Sequence, residues 1–549
     1  MTAVTTSPPS GTVEPAPTGE GPAAIPLPAI FDRLSDRLNP VLVREVRQAL
    51  KGRRFLWTFQ LLLLGSWLAS VAGLALAGES LEYGRPAMAF FTTYYYVLTF
   101  AALVIVPLGA FGSVLSEYDE NTQELLSITS LSPSTVVTGK LLGAVAQLVM
   151  FLAAIAPFVA FTTLLQGFDP FGAAWALAVA AYVSVVASMA AVTLGTVWRG
   201  KQRKAFANLV LTAGLLLLWQ VLTTGVSAAI LQGIPYFDPE FLIPVVLFTA
   251  ASASYFLLFH QIAVARLTFD SGNRSTGVRV VGLLQVVALW AVVYGGHFFA
   301  SPGTWSVGSE GLIFFGTVSV LHASLFGLFA TTEPERLSNR VTRDLPRSRM
   351  LRLAAAPFMP GGGRGLIFLL LLLAVAVVGS ELCIAQESAA TRARGGGDWA
   401  SVRLFTMLVT GYAAGYLAAG SGITAFAGNR NRRFKPQHAR LVVGTGISLC
   451  AIMPFVFVAI AGVVDRSYDV WRFHPVMITN PVSTLGHLNE TQWGDQWLVM
   501  TVAVAGSAAV LLSVRRMAAG VKEVMTAPRT DDQADLSVDA KLAVDGATT

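Results

Sequence analysis

Apolar residues run through this chain in long blocks, and the polar stretches between the blocks are short. Blocks long enough to cross about 30 Å of hydrocarbon fall at 55–78, 89–115, 140–166, 171–197, 205–232 and 241–265. Six more fall at 278–300, 310–330, 365–387, 402–427, 440–463 and 496–516. In lipid a backbone must bond to itself, so each block predicts a helix. The pattern therefore predicts an all-α polytopic membrane protein of about twelve transmembrane helices.

Two polar stretches carry a pattern of their own. Residues 31–54 include Asn39-Pro40, a cap followed by a proline at the first helical position. Leu42, Val46, Ala49 and Leu50 then share one helix face, and Arg44, Arg47, Gln48 and Lys51 share the other. Such a basic amphipathic helix suits the headgroup layer of an anionic leaflet. The second stretch, Glu117 to Lys140, opens with Glu117, Asp119, Glu120 and Glu124, acids that suit a helix N-terminus. Leu125, Ile128 and Leu131 follow at helical spacing beside Leu126, and Ser132-Pro133 caps and starts the next helix.

These two stretches resemble ABC transporter permeases of the type-2 exporter family. The likeness rests on Glu117, on Thr122-Gln123-Glu124-Leu125-Leu126, on Leu131-Ser132-Pro133 and Gly139-Lys140-Leu141-Leu142, and on Asn39 to Leu50. It extends over residues 39 to about 166, with Asn121 standing where that family usually has glycine. The resemblance implies an elbow helix at 31–54, with Arg44, Glu45 and Arg47 on it. It also implies a coupling segment at 116–139 that docks on a separate cytoplasmic ATPase, a dimer, through Glu117, Thr122, Glu124, Leu125, Leu126 and Leu131. ATP and magnesium would belong to that partner, and a homodimer or second permease would complete the path. This chain itself shows no phosphate-binding loop, since Gly139-Lys140 is followed by Leu141. It is expected to be no enzyme, with no cofactor or metal of its own.

Composition agrees with the membrane reading. The chain is 54% hydrophobic and 13% charged, where soluble domains carry about 25% charge. Its net charge of +6 reports orientation rather than nucleic acid. With the N-terminus inside, only Arg85, Arg392, Arg394, Arg403, Arg466 and Arg472 of the 38 Lys and Arg fall outside. The expected topology is thus a multi-pass protein of the cytoplasmic (inner) membrane with both termini inside. Residues 1–30 and 517–549 read as polar tails, 55–331 and 365–516 as two transmembrane regions, and 332–364 as a basic cytoplasmic loop.

Fewer residues point to chemistry. Glu381 is a carboxylate inside a span, a candidate for proton or cation handling or a partner for nearby polar groups. His260 and His322 lie in spans as well, where a lone histidine more often bonds a neighbouring helix. The Asp465–Trp497 loop holds Tyr468, Trp471, Phe473, Trp493 and Trp497, as an interfacial aromatic belt or a lid would, with Asn480-Pro481 as a turn. Ala154 to Val159 echoes Ala451 to Val456 around Pro157 and Pro454, the trace of a duplication or a coincidence of apolar sequence. The alternatives to an ATP-driven exporter are a secondary transporter driven by an ion gradient and, behind it, a membrane-embedded transferase.

Overall fold

A computed structural model describes residues 40–77, 86–119, 131–163, 165, 169–198, 201–299, 307–391, 398–431, 434–465, 469 and 472–527. A short helix, α1 (Pro40–Lys51), leads into α2 (Arg53–Ala77). The second span is α3 (Pro86–Phe100), a π turn at Ala101–Ile105, and α4 (Val106–Asp119). Then come α5 (Pro133–Thr163), α6 (Pro170–Val197), α7 (Lys201–Gln232) and α8 (Pro239–Leu267). The second half opens with α9 (Thr276–Phe299) and α10 (Gly308–Thr331), followed by the short α11 (Asn339–Arg343) and α12 (Arg349–Ala355). It closes with α13 (Gly362–Thr391), α14 (Trp399–Arg430), α15 (Pro436–Val464), α16 (Pro481–Glu490) and α17 (Gln496–Thr526). Among the described residues, twelve helical spans are long and apolar enough to cross a membrane, and they coincide with the twelve apolar blocks.

The buried residues divide between two bundles. One core gathers Phe55, Leu62, Tyr94, Leu98, Phe151, Ile155 and Met189 from the first four spans. Another gathers Trp290, Leu312, Phe368, Leu369, Leu372 and Leu417 from the seventh to tenth spans. None of the buried clusters joins a residue before 268 to one after 275. The bundles meet where α8 packs on α9, and Gln285 donates to Ser254 Oγ there at 3.3 Å.

Polar contacts sort the connections into two sets that alternate along the chain. Residues of α1, the end of α4 and the start of α5 meet at one end. The α8–α9, α10–α13 and α17 ends also lie together. Tyr236 donates to Asp169 Oδ2 at 2.7 Å and Arg403 pairs with Glu381, both among the alternate connections. An even span count between connections of one set requires this grouping.

Prolines inside spans leave carbonyls without their N–H partner, and at Pro107 and Pro454 hydroxyls from elsewhere fill the gap. In the π turn the Val106 amide bonds Ala101 O, five residues back. Pro107 has no amide to continue that pattern onto Ala102 O, which instead accepts from Ser184 Oγ of α6 at 2.5 Å. In α15, Pro454 deprives Cys450 O of its helical donor. Thr479 Oγ1 donates to that carbonyl at 3.1 Å, and Asn480 Nδ2 donates to Ala451 O at 2.7 Å.

The last pair of contacts changes the reading of the Asp465–Trp497 loop. Ala451 lies 13 residues before the end of α15, about 20 Å along the helix. The 3₁₀ turn Pro475–Thr479 and α16 therefore dip back alongside α14 and α15 instead of capping the bundle. Tyr412 of α14 donates to Ile478 O and to Thr484 Oγ1, and Tyr416 donates to Thr479 O. Asn480-Pro481, expected as a turn, is a helix start: Asn480 Oδ1 accepts from the Val482 and Ser483 amides at 2.8 and 3.1 Å. Replacing Asn480 with Leu strips that cap and removes the side-chain donor to Ala451 O. The expected loss is about 2–4 kcal/mol of stability, read as a lower unfolding temperature of the detergent-solubilised protein, whereas Thr501→Val at an exposed hydroxyl changes little.

Candidate functional site

The site is built where two separated stretches of chain reach one lysine on a third. Ser132 caps α5, its Oγ accepting from the Thr135 amide at 3.1 Å, with Pro133 as the first helical residue. This start, seven residues ahead of the apolar block expected at 140, places Lys140 on the second turn of α5, where it is buried. Its ammonium has three protons and no acceptor capacity, so burial demands three partners. Nζ lies 2.9 Å from Glu45 Oε1, 2.9 Å from Glu117 Oε1 and 3.2 Å from Ser113 O. Arg44 approaches Glu117 Oε1 at 3.8 Å from a half-exposed position. Two bases thus face two acids in a small volume.

Close backbone approach lets this happen. Gly143 follows Lys140 by three residues, and a Cβ there would stand 2.9 Å from Glu45 Cβ, closer than side chains pack. The α1 helix presses against α5 at that point. It does so on a face the apolar pattern did not indicate: Val41 and Glu45 are buried, and Leu42, Val46, Ala49 and Leu50 are only partly so. Arg47, Gln48 and Lys51 are exposed, as the pattern predicts. An acid one turn after Val41 displaces the expected stripe because Lys140 is there to meet it.

The sequence-predicted residues are therefore split by the structure. Arg44, Glu45 and Glu117 come together around Lys140, while Arg47 stays on the exposed side of α1. Leu131 is half-buried just ahead of α5. Thr122, Glu124, Leu125 and Leu126 lie outside the described residues. Glu381 is held by Arg403 through bonds of 3.0, 3.1 and 3.0 Å, so its charge is matched within the protein. His322 meets Gly282 O at 3.1 Å and His260 meets Thr138 Oγ1 at 3.4 Å, each on a neighbouring span.

A second charged knot was not singled out from sequence. Arg364, on the first turn of α13, is fully buried. It donates Nε to Pro360 O at 2.7 Å, Nη1 to Gly520 O and Glu523 Oε2 at 2.8 and 2.9 Å, and Nη2 to Glu335 O at 2.8 Å. Arg279 of α9 donates to Pro357 O, Met359 O and Glu333 Oε2 at 2.8, 2.8 and 2.7 Å. Arg516 of α17 reaches Glu335 Oε1 at 2.6 Å. Two acids two residues apart, Glu333 and Glu335, thus tie α9, α13 and α17 together. Their position just after a span, opposite the arginine of Gly361-Gly362-Gly363-Arg364-Gly365, was the available signal. The twelfth span, α17, extends to Thr526, past the expected end at 516, because Gly520 and Glu523 belong to this knot.

No protein-family model matches the chain, and neither the curated proteins nor the solved structures contain a match.

The Lys140 cluster makes a sharp stability prediction. Lys140→Met leaves Glu45 and Glu117 buried without their cation, at a cost of about 3–5 kcal/mol. The triple variant Lys140→Met, Glu45→Gln, Glu117→Gln removes the uncompensated charge and recovers most of that loss, because replacing a whole buried ionic group is often near neutral. Thermal unfolding in detergent separates the two outcomes.

Proposed function

We propose that this twelve-span membrane protein is the permease subunit of an ATP-driven ABC exporter, coupled to a separate ATPase through residues 116–139. The observation that carries the reading is the Lys140 cluster. Glu117 and Lys140 stand at the two edges of the segment between the second and third spans, and Lys140 binds both Glu117 and Glu45 of α1. A force applied between them would reach α1, α4 and α5 together. That is the mechanical linkage a coupling segment needs, and it joins the two stretches whose sequences resemble that family. The segment faces the cytoplasm on this reading, with the arginine-rich ends of the bundle, and ATP and magnesium belong to the partner. Transport then consists of rigid-body movement of the spans between two arrangements.

The secondary-transporter alternative wants an acid free to load an ion within the membrane. Glu381, the sequence candidate, is instead engaged by Arg403, so it lends that alternative no support.

The proposal is tested by co-purification. From its native membrane the tagged chain should bring down a nucleotide-hydrolysing polypeptide, and without it should show no ATPase activity. Leu125→Asp and Leu126→Asp each place a charge in the docking contact. A loss of about 3 kcal/mol there exceeds a hundredfold in affinity, so both variants should insert normally and lose the partner. A partner that survives both substitutions, or a chain that hydrolyses ATP by itself, contradicts the proposal.

A further inference from the structure

The α12 helix is built inside out. Its one central charge, Arg352, is 5% exposed and donates Nε to Pro346 O at 2.7 Å and Nη1 to Ala527 O at 2.8 Å. Its apolar residues face away from the protein: Met350 is 78% exposed, Leu351 59% and Leu353 51%. In water the charge would turn out and the leucines in. The same inversion marks the spans, where Leu209, Leu217 and Val221 of α7 are exposed on the protein, as a surface facing lipid requires.

The height of α12 fits that comparison. The chain leaving it, through Ala356–Phe358, is held at the first turn of a span: Thr276 Oγ1 donates to Phe358 O at 2.9 Å, and Arg279 takes Pro357 O and Met359 O. The Phe358 ring lies 6.0 Å from that of Phe368 in α13. The level is therefore that of a membrane boundary, not of a domain standing off in solvent. Around it Arg340, Arg343, Arg347 and Arg349 are exposed, with Asp344 as the exposed acid among them.

We infer that α12 lies in the boundary between headgroups and acyl chains of an anionic leaflet, with Met350, Leu351 and Leu353 inserted and Arg343 and Arg349 on lipid phosphates. Apolar exposure combined with clustered arginine at a span end is the signature of an interfacial helix. A soluble partner would not require the helix to sit level with a span's first turn. Arg352 then has a defined task. It fastens the lipid-seated helix to the end of α17, so that movement of α17 is felt at the membrane surface. The inference does not depend on the exporter reading.

The test uses the full chain with Cys383 and Cys450 replaced, a single cysteine at 351 or 343, and an environment-sensitive fluorophore on it. The protein is placed in nanodiscs of phosphatidylcholine with phosphatidylglycerol. The label at 351 should emit at shorter wavelength, be quenched by nitroxide-bearing lipid and resist aqueous iodide, and the label at 343 should be open to iodide. In phosphatidylcholine alone, iodide quenching at 351 should rise, and Arg343→Gln with Arg349→Gln should reproduce that rise in the mixed lipid. A label at 351 as open to iodide as at 343 overturns the inference, since the face is then wet and left for a soluble partner or a second copy. Shielding indifferent to lipid charge and to the arginines overturns the role given to the anionic leaflet.

Discussion

An ammonium taken out of water must find an acceptor for each of its protons, and Lys140 finds its three on two other parts of the chain. Glu45 comes from α1, and Glu117 and Ser113 from the end of the second span. Attraction alone would not hold this arrangement, because burying charges costs several kcal/mol apiece before any pairing is counted. What holds it is completeness: the acids approach at hydrogen-bonding distance, and Gly143 removes the atom that would keep α1 away. Once made, the cluster leaves α1 no independent position. The π turn at Ala101–Ile105 and Pro107 divide the same span into two helices, with Glu117 on the lower one. The second span is thus firm where it meets Lys140 and irregular half a membrane away.

The second bundle solves the same problem with arginine. Arg364 is held mainly by backbone carbonyls and Arg279 by two of them besides Glu333, with its Nε left without a partner among the described residues, at turns where helices have ended and their last C=O groups lack partners. Guanidinium suits this task because its donors are fixed in a plane and spread over several acceptors. Charge is therefore buried mainly at the ends of the spans, while their middles are joined by hydroxyls on carbonyls that proline or a π turn has released. Both devices supply partners to polar groups where water is absent.

The spans were readable because lipid imposes a length and forbids unpaired backbone, and an apolar block of twenty residues has few other uses. The starts of α5 and α1 were readable from Ser132-Pro133 and Pro40, since caps are local chemistry. Pairing between distant residues was not readable. Glu45 looks like one charge among several on an amphipathic helix, and only the position of Lys140 turns it inward. Pro454 is visible as a kink, but not as the place where Thr479 and Asn480 of a later loop would dock. Asn480-Pro481 supplies the right residues for a helix start and suggests a turn equally well, because the two differ only in the backbone after the proline. Thr122 to Leu126, on which the docking expectation rests, lie outside the described residues, so that expectation stands on sequence likeness and on the cluster at its edges.

The central claim is that one lysine makes Glu45 and Glu117, 72 residues apart in the chain, into a single unit. A double-mutant cycle on unfolding free energy addresses it directly, using Glu45→Gln, Glu117→Gln and the pair. Each single change leaves Lys140 one carboxylate, whereas the pair leaves a buried cation without either. The account predicts that the double variant loses at least about 1 kcal/mol more than the sum of the singles. Additivity to within about 0.5 kcal/mol, the behaviour of independent sites, would show that the two acids do not share Lys140 and would contradict it.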